Sequence, residues 1–454
     1  MKTRSRILCA ILLLVASRPV SGQTYADQHF VLGIDSLVQT IESSDGVVIS
    51  PDGSCLMLQP DRKQGSVILK PQHAPYPFNQ GLPSWNGSAP DASSSFLVQM
   101  RFPYNGGWSP WLTVGYWKEY FLTAYGSTSY GGGNVDVDYV TLNAYQSDWQ
   151  FKVTLVRTGI DLPSPTIRKL SFFASDSRTT ASMNLTRIVN DNPPEIFVPT
   201  DFIHQYGVDP DIGGSICSPT SVSMILRSYD IPVDPLQFAR DTYDPYHNMF
   251  GVWPRVVENA AEYGLDGSVM RYRTWSQARD VLASGGRISI SVGPPLYSGH
   301  LMMLAGFSAS GDPIVHDPAQ SNGYAYIFDK TDLSRSWFEK GGIAYTFYPE
   351  ETGPLAVEQP GAAGELPEGF VLLQNYPNPF NPSTAIRFQV SARGRVTLRV
   401  FDVVGHEVAT LLDEDMPSGS HVVRFDGSGL ASGVYFYRLQ SGASVATKSM
   451  HLIK

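Results

Sequence analysis

The residue best placed for chemistry in this sequence is Cys217, which is predicted to begin a helix. It follows the flexible pair Gly213-Gly214 and precedes Pro219, a residue favoured in the first turn of a helix. The apolar residues after it recur at the spacing of an amphipathic helix. Free N–H groups and the dipole at a helix start stabilise an anion such as a thiolate. The alternative is that Cys217 is a small buried apolar residue.

Two side chains could activate this thiol, His300 and Asp317. They lie at the ends of two predicted strands, residues 300–307 and 313–316, which are joined by a turn at residues 308–311. An antiparallel hairpin folds the far end of the second strand towards the start of the first, so the two side chains are predicted to be neighbours within one register step. A histidine held by a carboxylate can take the proton of a nucleophilic thiol.

Two further residues bear on this chemistry. His316 is a rival base, but strand alternation points it to the opposite sheet face from Asp317, where it would be a packed or surface histidine. An acyl-transfer oxyanion needs hydrogen-bond donors, and the N–H of Cys217 could supply one. The amide of Gln205 could supply the second, and a surface glutamine is the alternative.

These residues belong to a predicted α+β domain at residues 196–350. Helices at residues 254–263 and 275–283 follow the helix of Cys217, and the strands come afterwards. The predicted strands are residues 287–292, 300–307, 313–316, 324–328 and 342–347.

The preceding region, residues 23–190, is predicted to be an all-β sandwich of unknown function, because short β-like runs alternate with glycine-rich turns. Asp136 and Asp138 alternate with valines and are predicted to share one strand face, where they could bind calcium or be solvated. Several aromatic residues could form a sugar-stacking surface or pack in the core. These are Trp108, Trp111, Tyr116, Trp117 and Tyr120.

Composition and charge restrict the classes of protein that fit. A chain of 454 residues is expected to hold two or three domains. Hydrophobic residues make up 42% and charged residues 17%, which is typical of folded β-rich domains. The net charge of −9 and the lack of a Lys/Arg run give no indication of nucleic-acid or anionic-membrane binding.

Residues 1–22 have the features of an export signal peptide. Lys2, Arg4 and Arg6 form a basic start, residues 7–16 an apolar centre, and residues 20–22 a small-residue cleavage site. No later run stays apolar for the roughly 18 residues that a membrane span needs, so the mature chain is predicted to be soluble and to have no transmembrane segment.

Two cysteines remain after removal of the signal, Cys55 and Cys217. In an exported protein they could form one disulfide. Their spacing matches no disulfide framework, and a free thiol at Cys217 suits catalysis equally well. The sequence leaves both possibilities open.

Residues 198–350 resemble the papain-like cysteine peptidases of family 39, in the C39-like branch found in exported bacterial proteins. The resemblance rests on Gln205, Cys217-Ser218-Pro219-Thr220-Ser221, Gly299-His300-Leu301, Gly306-Phe307 and Asp317-Pro318-Ala319. It implies a papain-like fold in which Cys217, His300 and Asp317 form a triad and Gln205 aids the oxyanion hole. Residues 46–175 resemble the β-rich domain that accompanies this branch.

The chain departs from the family in two respects. Founding members trim double-glycine leader peptides while fused to export transporters, and this chain has no transporter segment, so that substrate does not carry over. The segment between Gln205 and Cys217 is longer than in papain.

A Pro/Gly/Ala/Glu-rich linker, residues 351–369, leads to a last β-rich domain at residues 370–454. Its predicted strands are residues 385–390, 395–401, 419–425, 434–439 and 446–453. The motifs are Asn375-Tyr376-Pro377-Asn378-Pro379-Phe380-Asn381-Pro382, Phe401-Asp402, Gly405 and Ser432-Gly433-Val434-Tyr435. They are similar to the type A sorting domain of the type IX secretion system. The resemblance implies export from the periplasm across an outer membrane and removal of the domain, and an immunoglobulin-like spacer is the alternative.

The sequence predicts a multidomain exported protein: an N-terminal all-β sandwich, a central α+β papain-like domain and a C-terminal immunoglobulin-like β-sandwich. One predicted function is a secreted peptidase that uses Cys217, His300, Asp317 and Gln205 with no cofactor or metal. The other is a degenerate peptidase fold that binds peptide or glycan at the cell surface. The expected partners are a peptide or protein substrate and the type IX secretion machinery, with no nucleic acid.

Overall fold

A computed structural model describes residues 25–90, 92–118, 125–350, 371–372, 383–390, 393–403, 405–416, 419–442 and 444–452. The predicted signal peptide, the predicted linker and the Asn375–Pro382 motif lie outside these residues. The chain divides into two compact units at residues 358/359, and each is described by itself.

The first unit begins with a β-rich domain. Its strands are β1 (Gln28–Gly33), β2 (Ile41–Asp45), β3 (Val47–Ile49), β4 (Leu56–Leu58), β5 (Gln64–Leu69), β6 (Gln72–Ser88), β7 (Ser94–Arg101), β8 (Pro103–Tyr104), β9 (Gly107–Trp108), β10 (Leu112–Trp117), β11 (Ser129–Tyr130), β12 (Gly133–Asp136), β13 (Tyr139–Arg157) and β14 (Thr166–Ser175). Its short helices are α1 (Ile34–Thr40), α2 (Ser177–Ala181) and α3 (Leu185–Val189).

The long strand β13 connects the layers of this domain. Its first half pairs with β6 and β12, and its second half pairs with β5 and β7. Twelve of the described strands therefore form one continuous antiparallel sheet, which differs from the predicted sandwich of separate sheets. Phe78, Trp85 and Trp149 are fully buried in its core. The predicted β-rich character is confirmed.

The structure corrects the prediction for Asp136 and Asp138. Strand β12 ends at Asp136, and Val137 adopts a left-handed backbone conformation with φ of 59°, so the alternation of the strand breaks there. Asp136 is exposed, whereas Asp138 is buried. The two carboxylates do not share a face, and the prediction that they do is wrong.

Most of the aromatic residues considered for sugar binding are occupied by packing. Tyr116 and Trp117 are buried. The guanidinium of Arg101 lies 4.4 Å from the ring centre of Trp111 and 5.1 Å from that of Trp108. Core packing is thus confirmed for Tyr116 and Trp117, and Tyr120 lies outside the described residues.

The second part of this unit is an α+β domain. Its strands are β15 (Ile196–Phe197), β16 (Leu265–Arg271), β17 (Arg287–Val292), β18 (His300–Phe307), β19 (Pro313–His316) and β20 (Ile343–Pro349). Its helices are α4 (Gln205–Val208), α5 (Cys217–Arg227), α6 (Pro235–Thr242), α7 (Trp253–Glu262), α8 (Trp275–Ala283) and α9 (Lys330–Ser334), with a 3-10 turn at Gly213–Ser215 and a π-helical turn at Arg335–Glu339.

The strands form one antiparallel sheet in the order β15-β18-β17-β20-β16, with β19 paired to β18. Helix α5 packs its apolar residues Val222, Ile225 and Leu226 into the core that the sheet shares with α7 and α8. The predicted strand at residues 324–328 is wrong, because only Tyr326 pairs, in an isolated bridge with Val315.

The described residues of the second unit form two antiparallel sheets. The first contains β21 (Val371–Leu372), β22 (Ser383–Val390) and β25 (Gly419–Asp426), and the second contains β23 (Gly394–Phe401), β24 (Glu407–Met416), β26 (Gly433–Ser441) and β27 (Ser444–Leu452). Phe388 from the first sheet and Tyr437 from the second belong to one buried cluster. The immunoglobulin-like topology stays a prediction.

Candidate thiol active site

Cys217 is the first residue of helix α5, as predicted. The backbone N–H groups of Ser218 and Leu301 donate hydrogen bonds to its sulfur, which is half-buried. Cys217 and Cys55 both carry free thiols, so the disulfide alternative is wrong. The thiol therefore lies at a helix start with its sulfur available for chemistry.

His300 and Asp317 are hydrogen-bonded beside this thiol. His300 Nε2 lies 2.8 Å from Asp317 Oδ1, and both side chains are buried. The N–H of Ala319 donates to the same oxygen at 3.0 Å. Because Nε2 faces the carboxylate, Nδ1 is the ring nitrogen left to exchange a proton with Cys217, which hydrogen-bonds to His300.

A β-bulge in the hairpin decides which side chain reaches His300. Strands β18 and β19 pair Phe307 with Pro313 near the turn, and Met303 with His316 beyond an irregularity between Leu304 and Gly306. Because of this one-residue shift, Asp317 lies on the same sheet face as His300, and His316 lies on the opposite face. With no bulge, the two residues would exchange faces.

The charges of the three side chains support one another. Burial opposes ionisation, but hydrogen bonds and opposite charge from Asp317 and Cys217 outweigh it and raise the pKa of His300 to about 9. Burial also raises the pKa of Cys217, yet the hydrogen bond and charge of His300 and the two N–H donors lower it overall. The pKa of Asp317 is likewise below its usual value, because His300, Tyr297 and Ala319 outweigh burial.

Gln205 is buried next to these residues and not on the surface. Its Nε2 donates to Gly213 O at 2.7 Å, and its backbone N–H donates to Pro318 O at 2.8 Å. These bonds tie Gln205 to the segment before Cys217 and to the segment after Asp317. One N–H of the amide remains beyond the bond to Gly213.

His316 lies on the opposite sheet face, as predicted. Its Nδ1 accepts a hydrogen bond from the N–H of Ala325 at 3.0 Å, and its ring stacks on Tyr324 at 4.6 Å. Burial lowers its pKa to about 4, so the ring is neutral at pH 7. Of the two alternatives for His316, a packed or a surface histidine, the structure therefore shows the packed one.

The sequence reasoning missed Tyr297. Its hydroxyl donates to Asp317 Oδ2, and its ring lies 4.3 Å from that of His300. Burial and the bond to Asp317 raise the pKa of Tyr297, so the phenol keeps its proton. Tyr297 lies in an irregular Gly/Pro-rich stretch before His300, where no periodicity indicates a direction for its side chain.

Lys340 was also missed. Its Nζ donates to Ser291 Oγ and to Val292 O, both at 3.1 Å. Burial lowers the pKa of Lys340, and the nearby Cys217 acts in the opposite direction. The lysine therefore adds positive charge on the side of the thiol. It follows a π-helical turn far along the chain, a placement that no sequence spacing predicts.

Three family models match the chain and confirm the resemblances. Residues 199–345 match the Peptidase C39-like family, residues 28–175 match the Peptidase C39 N-terminal domain, and residues 374–453 match the secretion system C-terminal sorting domain. This combination is that of a secreted peptidase-like protein. The type IX sorting domain indicates export to the cell surface or release from the cell.

Comparisons with whole proteins add little to this. No curated protein matches the chain significantly. One solved structure, PorZ, a surface component of the type IX secretion system of Porphyromonas gingivalis, aligns at 15% identity with a TM-score of 0.15. The alignment covers 34% of this chain and 21% of that chain, and it carries no argument about the fold. Within the described ranges, no helix combines the length and apolarity needed to cross a bilayer.

Proposed function

We propose that this protein is an exported cysteine peptidase that hydrolyses peptide or amide bonds with Cys217 as nucleophile. The observation that carries the proposal is the hydrogen-bonded row from Cys217 through His300 to Asp317, in which the pKa of the thiol falls and that of the imidazole rises. Such opposed shifts favour a thiolate–imidazolium pair at neutral pH.

In the acylation step, the Cys217 thiolate attacks the substrate carbonyl carbon. The carbonyl oxygen takes up the negative charge, and the Cys217 N–H and the remaining N–H of Gln205 are the proposed donors to it. His300 then gives its proton to the departing amine, which breaks the C–N bond and leaves a thioester on Cys217.

In the deacylation step, His300 is neutral and takes a proton from a water molecule that attacks the thioester. Collapse of the second oxyanion releases the carboxylic acid and returns the thiolate to Cys217. Asp317 keeps the His300 ring oriented through its Nε2 and stabilises its positive charge in both steps. The family resemblance and the geometry support these roles.

For export, we propose that residues 1–22 direct the chain into the periplasm and that residues 370–454 then direct it across the outer membrane and are removed. The matched sorting domain supports the second step. Deletion of residues 370–454 should leave the protein in the periplasmic fraction of a type IX-competent host, detected by immunoblot. Export of the truncated chain at the normal level would contradict this.

The alternative function is a degenerate peptidase fold that binds peptide or glycan at the cell surface. It is motivated by the aromatic-rich β-domain beside the central domain and by the lack of a recognisable substrate. Of those aromatic residues, Tyr116 and Trp117 are buried and Trp111 packs against Arg101. These contacts favour core packing over sugar stacking for those side chains.

The proposed activity is tested with the mature protein and a peptide library, with products identified by mass spectrometry. Cys217→Ala should abolish cleavage, because no other group supplies the nucleophile. Cys55→Ala is the matched control, since Cys55 is the second free thiol and lies in the β-rich domain. Cleavage retained in Cys217→Ala, or lost in Cys55→Ala, would contradict the assignment.

A further inference from the structure

The β-rich domain packs directly against the central domain, on the side of helix α7. Leu82 and Phe173 of the β-rich domain belong to the hydrophobic core of the central domain. Asn86 exchanges two hydrogen bonds with the backbone of Gly267, at 3.1 and 3.2 Å. The two domains are thus held together by both apolar packing and hydrogen bonds.

One loop of the central domain lies between this interface and the thiol. Residues 243–252, here called the flanking loop, connect α6 to α7. A Cβ placed on Gly251 would lie 3.7 Å from the Cβ of Ser218, the residue next to the nucleophile. The loop closes on itself through backbone bonds between Asp244 and Met249, at 2.8 and 3.2 Å.

The flanking loop forms one wall of a cavity of about 430 Å³. The lining residues are Asp209, Asp211, Ile212, Arg240, Tyr243 and Phe250. Asp209, Asp211 and Ile212 belong to the segment between Gln205 and Cys217, so this segment forms the opposite wall. The shape of this cavity therefore depends on the position of the flanking loop.

The β-rich domain anchors the first half of this loop. The Tyr116 hydroxyl donates to Asp244 Oδ1 at 2.7 Å, and the same oxygen accepts the N–H of Tyr246 at 2.9 Å. The ring of Tyr125 stacks on that of Tyr246, with centres 4.0 Å apart and planes at 21°. Asp244 is buried, so its carboxylate depends on these donors and on His247 for its hydrogen bonds.

The β-rich domain also anchors the end of the loop. Asp138 Oδ2 accepts the N–H of Trp253, the first residue of α7, at 2.6 Å. The N-cap residue Val252 has no side chain that can accept this bond, so the cap of the helix comes from the other domain. Arg255 joins both regions, since it donates to Tyr116 O at 3.1 Å and to Tyr243 O at 2.8 Å.

We infer that the β-rich domain is a positioning element of the thiol site: Tyr116, Tyr125 and Asp138 hold the flanking loop and so determine which peptides reach Cys217. This inference rests on the proposed peptidase function, whose substrate it constrains. It assigns the β-rich domain a role in substrate selection in place of an independent binding activity. Tyr116 and Tyr125 touch the loop, Asp138 touches Trp253 directly after it, and none of the three touches the reacting atoms, so they act through the loop.

The test compares Tyr116→Phe and Tyr125→Leu with wild type in the mature protein. Two matched controls are Tyr125→Phe, which keeps the stacked ring, and Tyr104→Phe, whose ring packs on Tyr130 within the β-rich domain. The first measurement is hydrogen exchange at the amides of Asp244 and Met249. Loss of the Tyr116 hydrogen bond to buried Asp244, or of the Tyr125 ring stacked on Tyr246, should speed their exchange by about tenfold in the two test variants and leave the controls unchanged.

The second measurement compares how fast Cys217 reacts with iodoacetamide and with a dipeptidyl chloromethyl ketone. If the inference is right, a peptidyl reagent extends past Ser218 onto the flanking loop, whereas a small reagent does not. The ratio of peptidyl to iodoacetamide rates should therefore fall about tenfold in Tyr116→Phe and Tyr125→Leu, while the iodoacetamide rate stays at the wild-type value. If Tyr116 and Tyr125 only stabilised the fold, their substitution would change neither the ratio of the two reaction rates nor the preference among peptide sequences.

The possible outcomes separate this inference from the proposed function. Wild-type exchange rates in both test variants, or faster exchange with an unchanged reagent ratio, would overturn the inference. If Cys217 of the wild-type protein is inert to both reagents, the peptidase assignment is contradicted. The inference on substrate selection then fails as well, even if hydrogen exchange shows that the β-rich domain holds the flanking loop.

Discussion

His300 and His316 lie on one hairpin, are both buried, and have opposite acid–base properties. Hydrogen bonds and charge from Asp317 and Cys217 overcome burial at His300 and raise its pKa to about 9. At His316 burial prevails and lowers the pKa to about 4. Residue type and depth therefore do not distinguish a functional histidine from a packing one. The partners on its own sheet face do.

A single-residue shift of register creates this difference. The bulge at Gly306 places Asp317 on the face of His300 and sends His316 to the face that packs against Tyr324. A Cβ on Gly306 would lie 2.0 Å from Ile196 O in strand β15, so this close approach needs a glycine. The bulge is thus part of the site although it touches none of its reacting atoms.

The largest expected contrast is between substitutions of the two histidines. His300→Ala should lower kcat/KM on the order of a thousandfold or more, because the thiol loses its proton acceptor and its counter-ion. His316→Gln, which retains an acceptor for the Ala325 N–H, should stay within about twofold of wild type at pH 7. Steady-state kinetics measures both, and equal losses would contradict the distinction.

Gly306→Ala should disturb the bulge and so separate Asp317 from His300. The clash with Ile196 O should destabilise the first unit by about 1–3 kcal/mol and slow alkylation of Cys217 at pH 6 by about tenfold or more, as Asp317 leaves His300. Urea unfolding and iodoacetamide kinetics measure the two effects. Gly33→Ala is the control, since a Cβ there meets nothing within 4 Å. Wild-type behaviour in Gly306→Ala would show that the bulge does not set the register.

Tyr297→Phe should have a smaller effect on activity than the substitutions of His300 and Gly306. Loss of the hydroxyl removes one donor to Asp317 while the ring stays against His300, so kcat should fall about fivefold with little change in KM. Tyr272→Phe is the matched control, because it removes a buried hydroxyl bonded to Thr346, away from the triad. A change in KM alone would indicate that Tyr297 binds substrate instead of positioning Asp317.

His316 should affect only the response to acid. Its folded-state pKa of about 4 is below its ordinary value of 6.5, so the unfolded chain binds the proton first and stability falls as the pH drops from 6.5 towards 4. The full loss is about 3 kcal/mol. His316→Gln should remove this part of the acid sensitivity in urea unfolding at pH 7 and pH 4. An identical acid response in the variant would contradict the neutral buried histidine.

The elements that carry the triad could be predicted from the sequence. Strands 300–307 and 313–316 and helix 275–283 have the predicted bounds, since each has a clear apolar pattern and a clear turn or cap beside it. The start of α5 at Cys217 followed from glycine and proline chemistry. Apolar periodicity, turn residues and helix caps were therefore enough to predict the bounds of these elements.

Other features depend on tertiary contacts that leave no local pattern. The glycine in Leu265–Arg271 weakens the strand signal of β16, and residues 324–328 have the composition of a strand but make only one bridge. The bulge lies beside Gly306, which β15 approaches too closely for a side chain, and the direction of Asp138 follows a left-handed Val137. Tyr297 and Lys340 reach the site from irregular segments. None of these contacts can be derived from spacing.

The most direct test of the account is the pH dependence of Cys217 alkylation by iodoacetamide in mature Cys55→Ala protein, where only one thiol remains. We expect the thiolate to react well below the free-cysteine pKa of about 8.5, and the profile to move up towards that value in His300→Ala but not in His316→Gln. A single rise near pH 8.5 that is the same in all three proteins would contradict the thiolate–imidazolium pair, and with it the proposed peptidase.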